Sequence, residues 1–100
     1  WVFHYHITIS NQGVNPVKLL RRKWFIWDSS ALPSKVEGDG VIGLQPEIQP
    51  GENHAYQSGC HLRSGIGYMR GSYQMMDLNT GELFEVEIPM FQLIAPQRLN

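Results

Sequence analysis

Val17-Lys18-Leu19-Leu20-Arg21-Arg22-Lys23-Trp24-Phe25-Ile26-Trp27-Asp28 decides the fold class, because it is the one long apolar-rich run that reads two ways. On a helix, Val17, Leu20, Trp24, Trp27 and then Ala31 fall on one face. Against that, Trp24-Phe25-Ile26-Trp27 is a block of strong strand formers, and Asp28-Ser29-Ser30 followed by Pro33 ends it. Read as a strand, it leaves the chain with no convincing helix. Upstream, Trp1 to Ser10 alternates strictly: Trp1, Phe3, Tyr5, Ile7 and Ile9 point one way, and Val2, His4, His6, Thr8 and Ser10 the other. Asn11 to Gly13 and Asn15-Pro16 supply the turn between these two runs.

Downstream, Val36 begins a short extended piece that runs into Gly38-Asp39-Gly40-Val41-Ile42-Gly43, with further breaks at Pro46 and Pro50-Gly51. This stretch is expected to be mostly loop. His54, Tyr56, Ser58, Cys60 and Leu62 form one alternating set, and Met69, Gly71, Tyr73 and Met75 form the next. After the Asn79-Thr80-Gly81 turn, Phe84, Val86 and Ile88 are expected to face inward with Glu85 and Glu87 in water, and Pro89 to break the ladder before Phe91, Leu93 and Ala95. All six prolines then fall at boundaries between runs. The pattern predicts an all-β immunoglobulin- or fibronectin type III-like sandwich of about seven antiparallel strands in two sheets, with a small barrel as the alternative.

The chain has 100 residues, suited to one domain, and its 42% hydrophobic composition with three Trp, four Tyr and four Phe can supply a core. Eight basic and nine acidic residues leave a formal charge of −1, so no global field draws in nucleic acid. Cys60 is the only cysteine, which excludes an internal disulfide and a multi-cysteine zinc site and points to a reducing compartment. No apolar run approaches the roughly 20 residues of a membrane helix. Because the sequence opens at Trp1 inside a strand pattern, it is expected to be part of something longer.

Seven ordered blocks carry a resemblance that extends over nearly the whole chain. They are Phe3-x-Tyr5-x-Ile7-x-Ile9, Leu19-Leu20-x-Arg22-x-Trp24-x-Ile26, Val36-x-Gly38-x-Gly40-Val41-x-Gly43-x-Gln45-Pro46, Pro50-Gly51-Glu52, Tyr56-x-Ser58-Gly59, Gly67-x-Met69-x-Gly71-x-Tyr73-x-Met75 and Phe84-x-Val86-x-Ile88-Pro89-x-Phe91-x-Leu93, with Leu99-Asn100 at the end. In this pattern the sequence resembles the ApaG family. The resemblance implies a two-sheet fibronectin type III-like sandwich, residues 1–100 forming a single domain that lacks one N-terminal strand of the full-length bacterial proteins. It also implies a small cytoplasmic protein associated with cobalt tolerance and magnesium transport. The same domain occurs in F-box proteins and a polymerase-delta-interacting protein, a spread that fits a protein-binding module. Lys23, Leu44 and Ile66 stand where many members have His, Glu and a nearby Pro, so no role is carried to them.

Gly38-x-Gly40-x-x-Gly43 matches the dinucleotide fingerprint formally, but Leu44-Gln45-Pro46 and Pro50-Gly51 forbid the helix whose N-terminus would hold a pyrophosphate. A glycine loop can still turn N–H groups toward an anion without a helix, and Arg22 could supply charge. His4 and His6 share a strand face and could ligate a metal with a third imidazole, a reading the family's cobalt association favours, although such a pair more often lies in solvent. His54 and His61 sit at odd separation and point to opposite faces. Cys60 reads as a core residue, and no acid–base pair is recognisable. Parity cannot bury Phe25 together with Trp24, or Met76 together with Met75, so Phe25, Trp27, Tyr68, Met76 and Met90 are the candidates for an exposed interaction surface. The expected function is a non-enzymatic protein-interaction module without cofactor, nucleic acid or membrane, its partner another protein or a second copy in a homodimer. The alternative is a small-ligand sensor taking a divalent metal or a polyphosphate at the glycine loop.

Overall fold

A computed structural model describes residues 1–96, and within them the chain is all-β with no helix. Leu99-Asn100, which closed the resemblance, lie outside the described residues. Seven strands follow one another: β1 (Val2–Ser10), β2 (Val17–Asp28), β3 (Ser34–Asp39), β4 (Glu47–Ile48), β5 (Asn53–His61), β6 (Ile66–Asp77) and β7 (Leu83–Ile94). β1 and β5 pair antiparallel as a two-stranded sheet. The other five form a second sheet in the order β3-β2-β6-β7, with β4 pairing the start of β2. The ambiguous run is therefore the strand β2, at the centre of the larger sheet, and the architecture is a sandwich rather than a closed barrel.

Two hydrophobic clusters fill the space between the sheets. In one, Trp24 of β2 meets Tyr5 of β1 and Phe91 of β7 at centroid separations of 5.6 and 5.9 Å, both edge-to-face, the geometry the ring quadrupoles favour. Trp24 lies opposite Gly71 in the ladder, where an added Cβ would come within 2.1 Å of the Lys23 carbonyl oxygen and 3.0 Å of the indole. The second cluster gathers Leu19, Val41, Tyr73 and Met75. Burying each such side chain contributes about 1.5–3 kcal/mol. Tyr73 and the half-buried Tyr56 of β5 join their hydroxyls across the sandwich in a short hydrogen bond, a polar link between the two sheets.

Two sequence expectations need correction. Pro89 does not end a strand: β7 runs through it, and the register steps from Met69↔Phe91 to Gly71↔Ile88, so one extra β7 residue is accommodated as a bulge. β7 is an edge strand, so a residue without an N–H is tolerated there. Phe84 and Val86 do pair with the inward residues Met75 and Tyr73, yet each remains 38% exposed. Among the described residues the opposing sheet is two strands wide, and beside β1 it leaves an apolar cleft of about 340 Å³ lined in part by Ile9, Val17, Met75 and these two residues. The stretch from Val36 to Gly51 is mostly loop as expected, its extended start being the end of β3 and the two-residue β4 being added.

The far end of β2 is fastened by Asp28. Its carboxylate accepts from the backbone N–H groups of Ser30, Arg63 and Ser64 and from the Ser64 hydroxyl, tying β2 to the β5–β6 connection. These donors, Ser30 first, hold its pKa near 2, below the usual 3.8. A carboxylate depressed by folding adds stability above its unfolded pKa and loses it as pH falls toward the folded value. Thermal stability should therefore drop between about pH 4 and pH 2. Asp28→Asn should lower the melting temperature at neutral pH and flatten that acid limb, as read by circular dichroism melts across the range. Burial pushes the Tyr56 hydroxyl up to about 12 and Tyr73 further in the same direction. Tyr73→Phe should cost about 1 kcal/mol in urea denaturation and, because the Tyr73 hydroxyl partly offsets burial by favouring the Tyr56 phenolate, move the Tyr56 ionisation, followed by ultraviolet absorbance, further up.

Candidate protein-interaction surface

The direction of Trp24 into the core fixes the parity of the rest of β2. Lys23, Phe25 and Trp27 must point out of the larger sheet, onto a face that no further layer covers among the described residues. The register then places partners beside them: Phe25 opposite Arg70 and Lys35, Trp27 opposite Tyr68, and Lys23 opposite Ser72 and Glu37. The Trp27 and Tyr68 rings stack with centroids 5.4 Å apart and planes 13° from parallel. The Arg70 guanidinium lies over the Phe25 ring at 4.8 Å, and the Lys35 ammonium approaches the same ring at 5.7 Å.

Of the five residues singled out in the sequence, Phe25, Trp27 and Tyr68 come together at one end of this outer face. Met90, 56% exposed, borders the same shallow depression as Phe25 and Arg70. Met76 lies toward the other end, opposite Lys18 and Leu83, with Arg21, Lys23, Ser72 and Gln74 between. Sequence reasoning missed Arg70 and the exposed pair Ile66 and Ile94, which face each other across the β6–β7 ladder. Their parity with Tyr68 was available; the pairing that brings Arg70 to Phe25 was not.

The glycine loop is organised differently. Val41 and Leu44 exchange both backbone hydrogen bonds, at 2.8 and 3.0 Å, around a tight reversal in which Ile42 and Gly43 take φ of 47° and 74°. Gly40, at φ 62°, donates its N–H to the Leu20 carbonyl, and a Cβ there would meet the Leu44 carbonyl oxygen at 2.1 Å. Arg22 reaches the loop, but its Nη1 donates to the carbonyls of Asp39 and Gly40, both at 3.0 Å, while its guanidinium lies close over Gly38. Gly38, Gly40, Gly43 and Arg22 are thus neighbours, with much of their hydrogen-bonding capacity turned on the chain itself. No helix follows; Pro46 leads into β4.

His4 and His6 project from the outer face of the small sheet, and the exposed His61 shares that face, whereas His54 turns inward. Among the described residues no three His, Cys, Asp or Glu side chains are grouped so as to hold a metal ion. Cys60 is buried in the first cluster, and burial, reinforced by the Asp28 charge, pushes its thiol up, away from a reactive thiolate. No described helix is long and apolar enough to cross a membrane.

Comparison with known proteins places the chain. The family model described as the ApaG domain matches residues 1–77. "Protein ApaG" of Salmonella arizonae is 44% identical over 100 residues, covering all of this chain and 79% of the relative, and the same figures hold for that of Salmonella newport. The crystal structure titled as the putative ApaA protein from Bordetella pertussis superimposes with a TM-score of 0.90 at 42% identity, covering 97% of this chain and 78% of the other. A second X-ray structure, a structural-genomics target, gives 0.92 at 40% identity over 98% of this chain and 74% of its own. The sandwich, the ordered sequence blocks and these matches agree: this chain belongs to the ApaG domain family.

Proposed function

We propose that the domain is a non-enzymatic protein-binding module that docks its partner on the outer face of the larger sheet. The observation that supports this most is the uncovered aromatic end of that face, where the Trp27–Tyr68 stack adjoins Phe25 beneath Arg70. Aromatic and Arg side chains of this kind supply most of the energy at interfaces, because they offer large rigid areas at small entropic cost. A role in cobalt or magnesium homeostasis, and a cytoplasmic setting, would on this reading run through the partner rather than through an ion held here. The ligand-sensor alternative has less support, since the N–H groups of Gly40, Val41 and Leu44 already have acceptors within the chain.

Two expectations separate these readings. With a photo-crosslinking amino acid at Trp27, adducts of discrete mass should form in cells; at Thr8, on the outer face of the small sheet, they should not. Adducts from Thr8 alone would move the docking face and overturn the proposal. For the glycine loop, Gly40→Ala should destabilise by more than about 1 kcal/mol through the clash with Leu44, and Gly43→Ala, with open space at its Cβ position, by less. Urea denaturation measures both. If pyrophosphate moves the amide resonances of Gly40 and Val41 saturably, the ligand-sensor reading gains the site and this assignment of the loop fails.

A further inference from the structure

We infer that the segment this face receives is acidic as well as apolar, presenting a carboxylate to Arg70 and aliphatic side chains to the aromatic residues around it. The inference rests on the outer face being the docking surface, and it follows from how the charges on that face are already matched. Arg21 has Asp39 at 2.6 Å, while Lys23 and Lys35 share Glu37 at 3.9 and 3.0 Å. Among the described residues Arg70 has no carboxylate within ion-pair distance, nor does Lys18, beside Met76 at the other end of the face. The Arg70 guanidinium lies over the Phe25 ring, 4.8 Å from the centroid. Among the described residues none of its guanidinium N–H donors is taken up by a hydrogen bond, so they are left for a carboxylate to accept in a bidentate fashion.

The surroundings of Arg70 complete the description of the partner. Tyr68 and Trp27 stand on one side, Met90 on another, and beyond them Ile66 and Ile94 are 56% and 59% exposed. An ionic anchor ringed by apolar side chains matches a short acidic–aliphatic segment. A basic segment would meet Arg70, Lys35 and Lys23 together. A single nucleic-acid strand fits less well, because bases need free ring faces, whereas Trp27 and Tyr68 already stack on each other. Glu85 and Glu87 border the depression and disfavour any anion beside them, so the partner's carboxylate is confined to Arg70.

The test titrates the isotope-labelled domain with short peptides of alternating leucine and glutamate, leucine and glutamine, or leucine and lysine, and with oligothymidylate, at low and high salt. The leucine–glutamate peptide should shift the amides of Phe25, Trp27, Tyr68 and Arg70 and bind about tenfold more tightly than the glutamine peptide, the increment of one charge-assisted hydrogen bond. Salt should erode that increment, and Arg70→Gln should abolish it while leaving the weaker binding in place. Equal affinity for the glutamate and glutamine peptides, both on this face, overturns the acidic specificity and leaves the docking surface standing. Tighter binding of the lysine peptide or of oligothymidylate likewise overturns the acidic assignment. Shifts confined to the small sheet would bring down the docking surface itself.

Discussion

The structure depends on Trp24 lying over Gly71. A cross-strand neighbour with a Cβ would force β2 and β6 apart at the Lys23 carbonyl, and the indole would lose its place between Tyr5 and Phe91. Those three rings belong to β1, β2 and β7, so one contact set holds the small sheet onto the large one. It also fixes parity. Once Trp24 points in, Phe25 and Trp27 point out, and the aromatic surface on the far side is a geometric corollary of the core.

Much of this was legible in the sequence wherever a face is half-buried. The alternation in Trp1 to Ser10 and in Met69 to Met75 gave the strands their directions, and parity alone put Phe25, Trp27 and Tyr68 on the surface. What alternation cannot reveal is an irregularity that changes its phase. At the bulge between Leu19 and Arg21, Leu20 is an extra residue whose carbonyl accepts from both Gly40 and Gln45. Nothing in Leu19-Leu20-Arg21 marks it, because the bonds that stabilise it come from about twenty residues away. Pro89 misled for the opposite reason: proline is a breaker in a central strand, and only knowledge that β7 is an edge strand makes it tolerable. Register was equally out of reach, so Arg70 could be read as exposed but not as Phe25's neighbour.

The glycine fingerprint shows how one pattern can serve two physical ends. In a dinucleotide site such glycines free N–H groups for a ligand; here they permit a reversal whose N–H groups turn back on Leu20, Val41 and Leu44. Arg22 behaves in the same way, spending donors on the carbonyls of Asp39 and Gly40. This places the loop's contribution on the link from sequence to local structure, holding the β3–β4 edge against β2.

The small sheet sets a condition on the order of folding. β2 with β3 and β6 with β7 are hairpin neighbours that can close locally, but among the described residues β1 pairs with β5 alone, Val2 with His61 and Ser10 with Asn53. Closing so long a loop is entropically slow, and ladders with such separations fold slowly. As the chain is synthesised, β1 emerges before β5 and waits until β5 has followed. It carries Val2, Phe3, Tyr5, Ile7 and Ile9 without a Lys, Arg, Asp or Glu to discourage other strands. β1 is therefore made well before it can find its place, and the interval between those events is when this strand is most exposed to association with neighbouring chains.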